Sequence, residues 1–167
     1  MSRSTPSPPP SKASLPRLRA AARVACVAST YHGEVVGAMV ESARETLVFA
    51  GLDEARFELV HVPGAFELPI VAQRLARRDD VDAVLAFGLV LKGETDHDRH
   101  IARSVVDALM RIGLETETPV LLGLLTCPTL EHAIQRARRA GEGGLDKGAE
   151  VARAAVQVLA TLAEVQR

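Results

Sequence analysis

The chain lacks any run approaching the ~20 apolar residues that a membrane-spanning helix needs, so no membrane partner is expected. It also lacks charge of one sign. Its 20 Lys and Arg stand against 21 Asp and Glu, a formal net charge of −1. That balance attracts no nucleic acid, and any anion site must come from a few placed residues. Cysteine is scarce: Cys26 and Cys127 fall in or beside apolar runs, where buried free thiols of a reducing cytoplasm are expected. The N-terminal "MSRSTPSPPPSKASLPRLRA" lacks the apolar centre of a secretory signal and holds too much proline for an amphipathic helix, so residues 1–20 read as a flexible tail. No internal repeat divides the remainder, and residues 21–167 read as one domain long enough to bury a real core.

What the chain does have is alternation. Short apolar runs at 23–29, 56–62, 81–91 and 119–126 read as strands, two of them continuous enough to be buried on both faces. Between them the apolar residues follow a helical period. One helix covers 34–50 with Gly51 as its stop, and another covers 65–78 with Pro69 in its first turn. A third is marked by Ile101, Val105, Ala108, Leu109 and Ile112 and closed by Gly113; a fourth runs over 129–140 with Thr129 as N-cap. After a "GEGGLD" loop, the last helix shows Val151, Ala155, Val158, Leu159 and Leu162 on one face. A βαβαβαβα order predicts a three-layer α/β/α sandwich around a four-stranded parallel sheet.

In such folds ligands bind outside the carboxyl ends of the strands. Four segments belong there: "STYHG" (29–33), "HVPGAFE" (61–67), "LKGETDH" (91–97) and "TCPT" (126–129). Gly93, Glu94 and Thr95 form a turn into a helix, where exposed N–H groups and the helix dipole suit a phosphate. An ordinary strand–helix turn gives the same pattern, and the charge of Glu94 argues mildly against an anion. His97 opens the helix and can move protons near neutrality. With His100 it spells H-x-x-H, but two ligands do not hold zinc, and no metal is expected. Arg136 lies in a basic stretch with Arg138 and Arg139 that reads equally as a solvated face. Lys147 starts the last helix, a poor end for a cation unless an anion lies close.

Taken in order and spacing, "VPGAFELP" (62–69), "GLVLKGETDH" (88–97), "GLLTCPTLEHAIQRA" (123–137) and "DKGAEVA" (146–152) resemble the motifs of the 6,7-dimethyl-8-ribityllumazine synthases, the penultimate enzymes of riboflavin biosynthesis. The resemblance runs from about residue 23 to 160 and implies a flavodoxin-like fold. It implies a transferase that condenses 5-amino-6-(D-ribitylamino)uracil with 3,4-dihydroxy-2-butanone 4-phosphate, without cofactor or metal. By position, it makes His97 the general acid/base. It assigns the phosphate to Glu94, Thr95 and Arg136, the pyrimidine to the backbone of Leu89, Val90 and Leu91, and the ribityl chain to Ala65, Phe66 and Glu67. Lys147 is implied near the phosphate, from across a subunit interface.

The chain departs from the family pattern at three places. Tyr31-His32 replaces the common Phe-Asn, leaving Tyr31 able to stack on the pyrimidine. Leu122 stands where a neighbouring subunit usually supplies an aromatic, and Asp98 follows His97 where an aromatic is usual. These departures leave open a second reading, a ligand-binding or shell-forming relative with little activity. The loop between Arg136 and Lys147 is longer than in family members that build icosahedral shells, so the resemblance implies a homopentamer, or a higher homo-oligomer such as a stacked decamer, with active sites between subunits. Riboflavin synthase is the partner protein suggested, and the cytoplasm the compartment.

Overall fold

The first strand, β1 (Val24–Ser29), is buried at every one of its positions, because it has strands on both edges and helices on both faces. This follows from the computed structural model, which describes residues 15–165. The chain continues through α1 (Gly33–Phe49), β2 (Phe57–Val62), α2 (Leu68–Ala76), β3 (Ala83–Leu91), α3 (His97–Thr116), β4 (Val120–Cys127), α4 (Leu130–Ala137) and α5 (Lys147–Val165). All strand pairs are parallel and the sheet order is β2-β1-β3-β4. The expected three-layer sandwich with a four-stranded parallel sheet is therefore the fold.

Strand side chains alternate between two cores. Cys26, Leu85, Phe87 and Leu125 meet α1, α4 and α5 on one face. Ala25, Val27, Val84, Ala86 and Leu124 meet α2 and α3 on the other. Continuous apolar runs are what such two-sided burial demands, and each fully buried Val, Leu or Phe contributes roughly 1.5–3 kcal/mol. Helix ends differ from expectation in three helices, and α2, read over 65–78, spans only Leu68–Ala76. Gly113 does not close α3, which runs on to Thr116 and ends at Glu117 in the left-handed region (φ 56). A methyl at Gly113 would meet the Val120 nitrogen at 3.5 Å, an ordinary contact, so the position has room for a side chain and the helix continues through it. α4 stops at Ala137 rather than 140, because Arg138 turns extended (ψ 144) and its carbonyl accepts from the Asp146 N–H at 2.9 Å. Pro69 lies in the first turn of α2 as expected, after a 3₁₀ turn over Ala65–Glu67.

Most of the expected tail, residues 1–14, lies outside the described residues. Leu15 and Leu18 pack against the α1 side of the core, and the Leu18 N–H donates to the Ala50 carbonyl at 2.9 Å. Among the described residues, no helix is long and apolar enough to cross a membrane.

Candidate active site

The chain runs from β1 outward to β2, then crosses back to β3 on the other side of β1. The strand exits therefore diverge between β1 and β3, which is the crevice where open parallel sheets take ligands. Hydrogen bonds divide the rim into two halves. On the first, Thr30 N–H donates to Val62 O at 2.8 Å, Tyr31 N–H donates to Pro63 O at 3.1 Å, and Thr30 Oγ1 donates to Pro63 O at 3.3 Å. The β1 exit is thus laced to the Pro63–Gly64 loop, bringing Tyr31 beside the segment of Ala65, Phe66 and Glu67. Tyr31 is 68% exposed and Phe66 65%, whereas Ala65 is buried. Glu67 is already engaged in the fold, since its carboxylate accepts from the Gly64 N–H at 2.9 Å and closes the turn.

On the second half, Lys92 N–H donates to Cys127 O at 2.9 Å, joining the β3 and β4 exits. A cleft of about 600 Å³ opens there, lined by Val90, Lys92, Glu94, Thr95, Asp98 and Cys127 among others. Arg136 sits half-buried on α4, its Nη1 donating to the His132 carbonyl at 3.2 Å. Burial pushes the Cys127 thiol up, and the positive charge of Arg136 acts against this. Thr129 caps α4 as expected, its hydroxyl accepting from the His132 N–H at 3.4 Å. His97 is exposed at the first position of α3, and its N–H donates to Thr95 Oγ1 at 3.4 Å. The cleft lining carries Lys92 and Arg99 against Glu94, Asp96 and Asp98. An anion would therefore depend on backbone N–H groups and Arg136 rather than on net charge.

Strand lengths add a feature that periodicity does not show. β1 pairs with β3 only as far as Ala28 with Phe87, whereas β3 and β4 pair on to Leu91 with Cys127. From Gly88 onward, β3 has no ladder partner on its β1 side. Val84 and Lys92 turn their N–H groups to the β4 side, so along Leu89–Leu91 the backbone groups that face away from β4 open on the crevice, and a heterocycle edge can take up such bonds.

Two expected site residues are not brought to this rim within one chain. Leu122 lies in the middle of β4, 42% exposed on an edge strand. Lys147 opens α5 and donates to Glu150 at 2.6 Å; its neighbour Gly148 lies tight against Met39, part-way down α1. The basic stretch also splits up. Arg139 pairs with Glu45 at 2.5 and 2.9 Å, tying the α4–α5 loop to α1. Arg138 lines a separate groove with His32, Leu130 and Ile134. His100 is exposed on α3. Among the described residues, no three His, Cys, Asp or Glu groups converge where an ion would sit.

Residues that sequence reasoning missed include His32, in the left-handed region, and Asp146, which is buried, also at positive φ, and bonded to Ser42. The sequence signal for Asp146 was a short polar residue before a helix start, and for His32 its place before Gly33, where the family commonly has Asn.

A flavodoxin-like α/β sheet with a backbone-lined crevice, an aromatic on one wall and an anion-suited helix start on the other defines an enzyme of small-molecule substrates. The family model described as 6,7-dimethyl-8-ribityllumazine synthase matches residues 21–163. A protein of that name from Streptomyces coelicolor is 43% identical over 143 residues, covering 86% of each chain. Another from Thermus thermophilus is 40% identical over 145 residues, 87% of this chain and 90% of its own. A third, from Leuconostoc mesenteroides, is 36% identical over 137 residues, 82% of this chain and 86% of its own. The chain belongs to the 6,7-dimethyl-8-ribityllumazine synthase family.

Proposed function

We propose that the crevice between the β1 and β3 exits condenses 5-amino-6-(D-ribitylamino)uracil with 3,4-dihydroxy-2-butanone 4-phosphate, giving 6,7-dimethyl-8-ribityllumazine, phosphate and water. The observation that carries this assignment is the β3 end. It outruns β1 and lies between an exposed aromatic and the Gly93–Glu94–Thr95 helix start. In this reading the pyrimidine bonds to the backbone of Leu89, Val90 and Leu91 and stacks on Tyr31, and the ribityl chain runs along Ala65, Phe66 and Glu67. The phosphate sits on the N–H groups of Glu94 and Thr95, with Arg136 as its forked counter-charge.

The chemistry needs proton transfers more than it needs a nucleophile on the protein. The ring amine attacks the ketone, and the carbinolamine loses water to an imine. Phosphate then leaves with its bonding electrons, and ring closure expels a second water. His97, exposed at the helix start beside the cleft, is the group assigned to give and take these protons. Holding two substrates side by side supplies much of the remaining rate.

The same reading makes the working unit a homopentamer or a higher homo-oligomer, with Leu122 and Lys147 reaching a neighbour's crevice. Supporting it, Ile70, Met110 and Leu114 on α2 and α3 are 58%, 65% and 74% exposed, an apolar surface of the kind subunits cover. Riboflavin synthase remains the partner protein of this reading. A cytoplasmic location goes with it, supported by two buried free thiols.

The test is direct. The purified oligomer, mixed with both substrates, should form lumazine absorbance with matching phosphate release, unaffected by EDTA. His97→Ala should lower the rate by about 10²–10⁴-fold. A properly assembled oligomer that forms no product would reject the assignment in favour of a weakly active binding relative.

A further inference from the structure

Tyr31 is carried by a turn whose next residue is conformationally unusual. His32 has φ 57 and ψ 42, a left-handed backbone that few side chains adopt without cost. It occupies the N-cap of α1, yet its side chain makes no capping hydrogen bond. Instead, its ring packs edge-on against Tyr31, with centroids 4.5 Å apart and planes at 67°. This is the ring pair found among the described residues, and it lies at the mouth of the crevice. The half-buried His32 also reaches the wall of the α1–α4 groove, so it is seated on the protein while Tyr31 is largely free of it.

A T-shaped contact leaves at least one face of the tyrosine open, whichever ring supplies the edge. A side chain as exposed as Tyr31 would otherwise sample several rotamers, and a stacking ligand would have to order it on binding. We propose that His32 is a positioning residue: its ring holds the Tyr31 ring with a face already offered to the pyrimidine. This rests on the reading of Tyr31 as the stacking residue. The left-handed backbone is what makes the contact possible, because it turns consecutive side chains toward each other at the start of α1.

The backbone and the ring can be separated. Asn and Gly both accept the left-handed region, so His32→Asn and His32→Gly keep the turn and delete the ring. Both should raise the KM of the pyrimidine roughly two- to tenfold, the worth of one aromatic pair. kcat and the KM of the butanone phosphate should stay unchanged. The chain has one tyrosine and no tryptophan, so its ultraviolet emission reports Tyr31 alone. Emission anisotropy of the free enzyme should fall in both variants, with the oligomer intact by light scattering. Tyr31→Ala should raise the same KM, and adding His32→Asn to it should change nothing further, since the two rings act as a unit. If Tyr31→Ala raises the pyrimidine KM but the His32 variants do not, or if their effects add in the double variant, positioning by His32 is refuted while the site reading stands. If Tyr31→Ala leaves that KM unchanged, the stacking role fails and the proposal fails with it.

Discussion

Replacing Gly123 by Ala tests whether the β3–β4 seam is as tight as the site above it requires. Gly123 is the direct register partner of Phe87, which is fully buried. A methyl on Gly123 would overlap the Phe87 ring, with Cε1 at 2.5 Å, and would also meet the Ala86 carbonyl oxygen at 2.9 Å. The ring cannot retreat, because the core around Leu85 and Leu125 closes behind it; the carbonyl belongs to β3 itself. Overpacking of this kind costs about 1–3 kcal/mol. At roughly 2–4 °C per kcal/mol for a chain of this size, Tm should fall by about 2–12 °C. Circular dichroism melts or calorimetry at fixed protein concentration would measure it, since the proposed assembly would make Tm depend on concentration. Phe87→Leu in the same chain should return about 0.5–3 kcal/mol as coupling, incompletely because the carbonyl contact remains. The pyrimidine KM should rise in Gly123→Ala, since β3 continues directly into Leu89, Val90 and Leu91. A Gly123→Ala protein that melts with the parent, or a double variant whose losses simply add, would refute this account.

Arg136→Ala removes a charged hydrogen-bonding group worth about 1.5–3 kcal/mol, so the KM of the butanone phosphate should rise roughly ten- to hundredfold. A change confined to the pyrimidine KM would overturn the phosphate assignment. If Lys147 acts in a neighbour's crevice, co-assembling Lys147→Ala with His97→Ala subunits should restore activity that neither shows alone; no recovery in verified mixed oligomers would count against it. A pH effect is expected at the exposed Arg78–Asp80 pair, where a hydrogen bond from Arg78 holds the Asp80 carboxyl below the usual range. A depressed folded pKa stabilises above the unfolded value of about 4 and is lost as pH falls through the lower folded value. Asp80→Asn should therefore melt slightly below the parent at neutral pH, with the gap closing in acid; a gap that persists there would contradict the linkage.

Much of the fold was legible because burial on both faces leaves a continuous apolar signature, as in "VACVAS" and "AVLAFGLVL". Helix ends were less so. Gly113 read as a stop because glycine often is one, but α3 runs through it to Thr116 and ends at Glu117 in the left-handed region. α4 ended early because the Asp146 N–H takes the Arg138 carbonyl, a contact between residues eight apart that no helical period encodes. Within the site, the motif residues could be named from the chain, and the structure brings Val90, Glu94 and Thr95 into one cleft. Glu67 closing the turn on the Gly64 N–H three residues back is a local pattern, whereas Arg139 leaving the basic stretch for Glu45 had no sequence signal, because it depends on where a partner falls in space.

By itself, then, the sequence determined that strands and helices alternate, that Gly, Pro and His gather at four strand exits, and which residue types stand at each. These are local properties, set by periodicity and turn chemistry. Only the tertiary structure decided that β1 and β3 are neighbours, that β3 outruns β1 and exposes its backbone there, and that His32 turns back on Tyr31. Strand order and strand overhang are settled by which crossovers pack most tightly, a competition among segments far apart in the chain, and the ring contact by the left-handed backbone that His32 takes where α1 leaves β1.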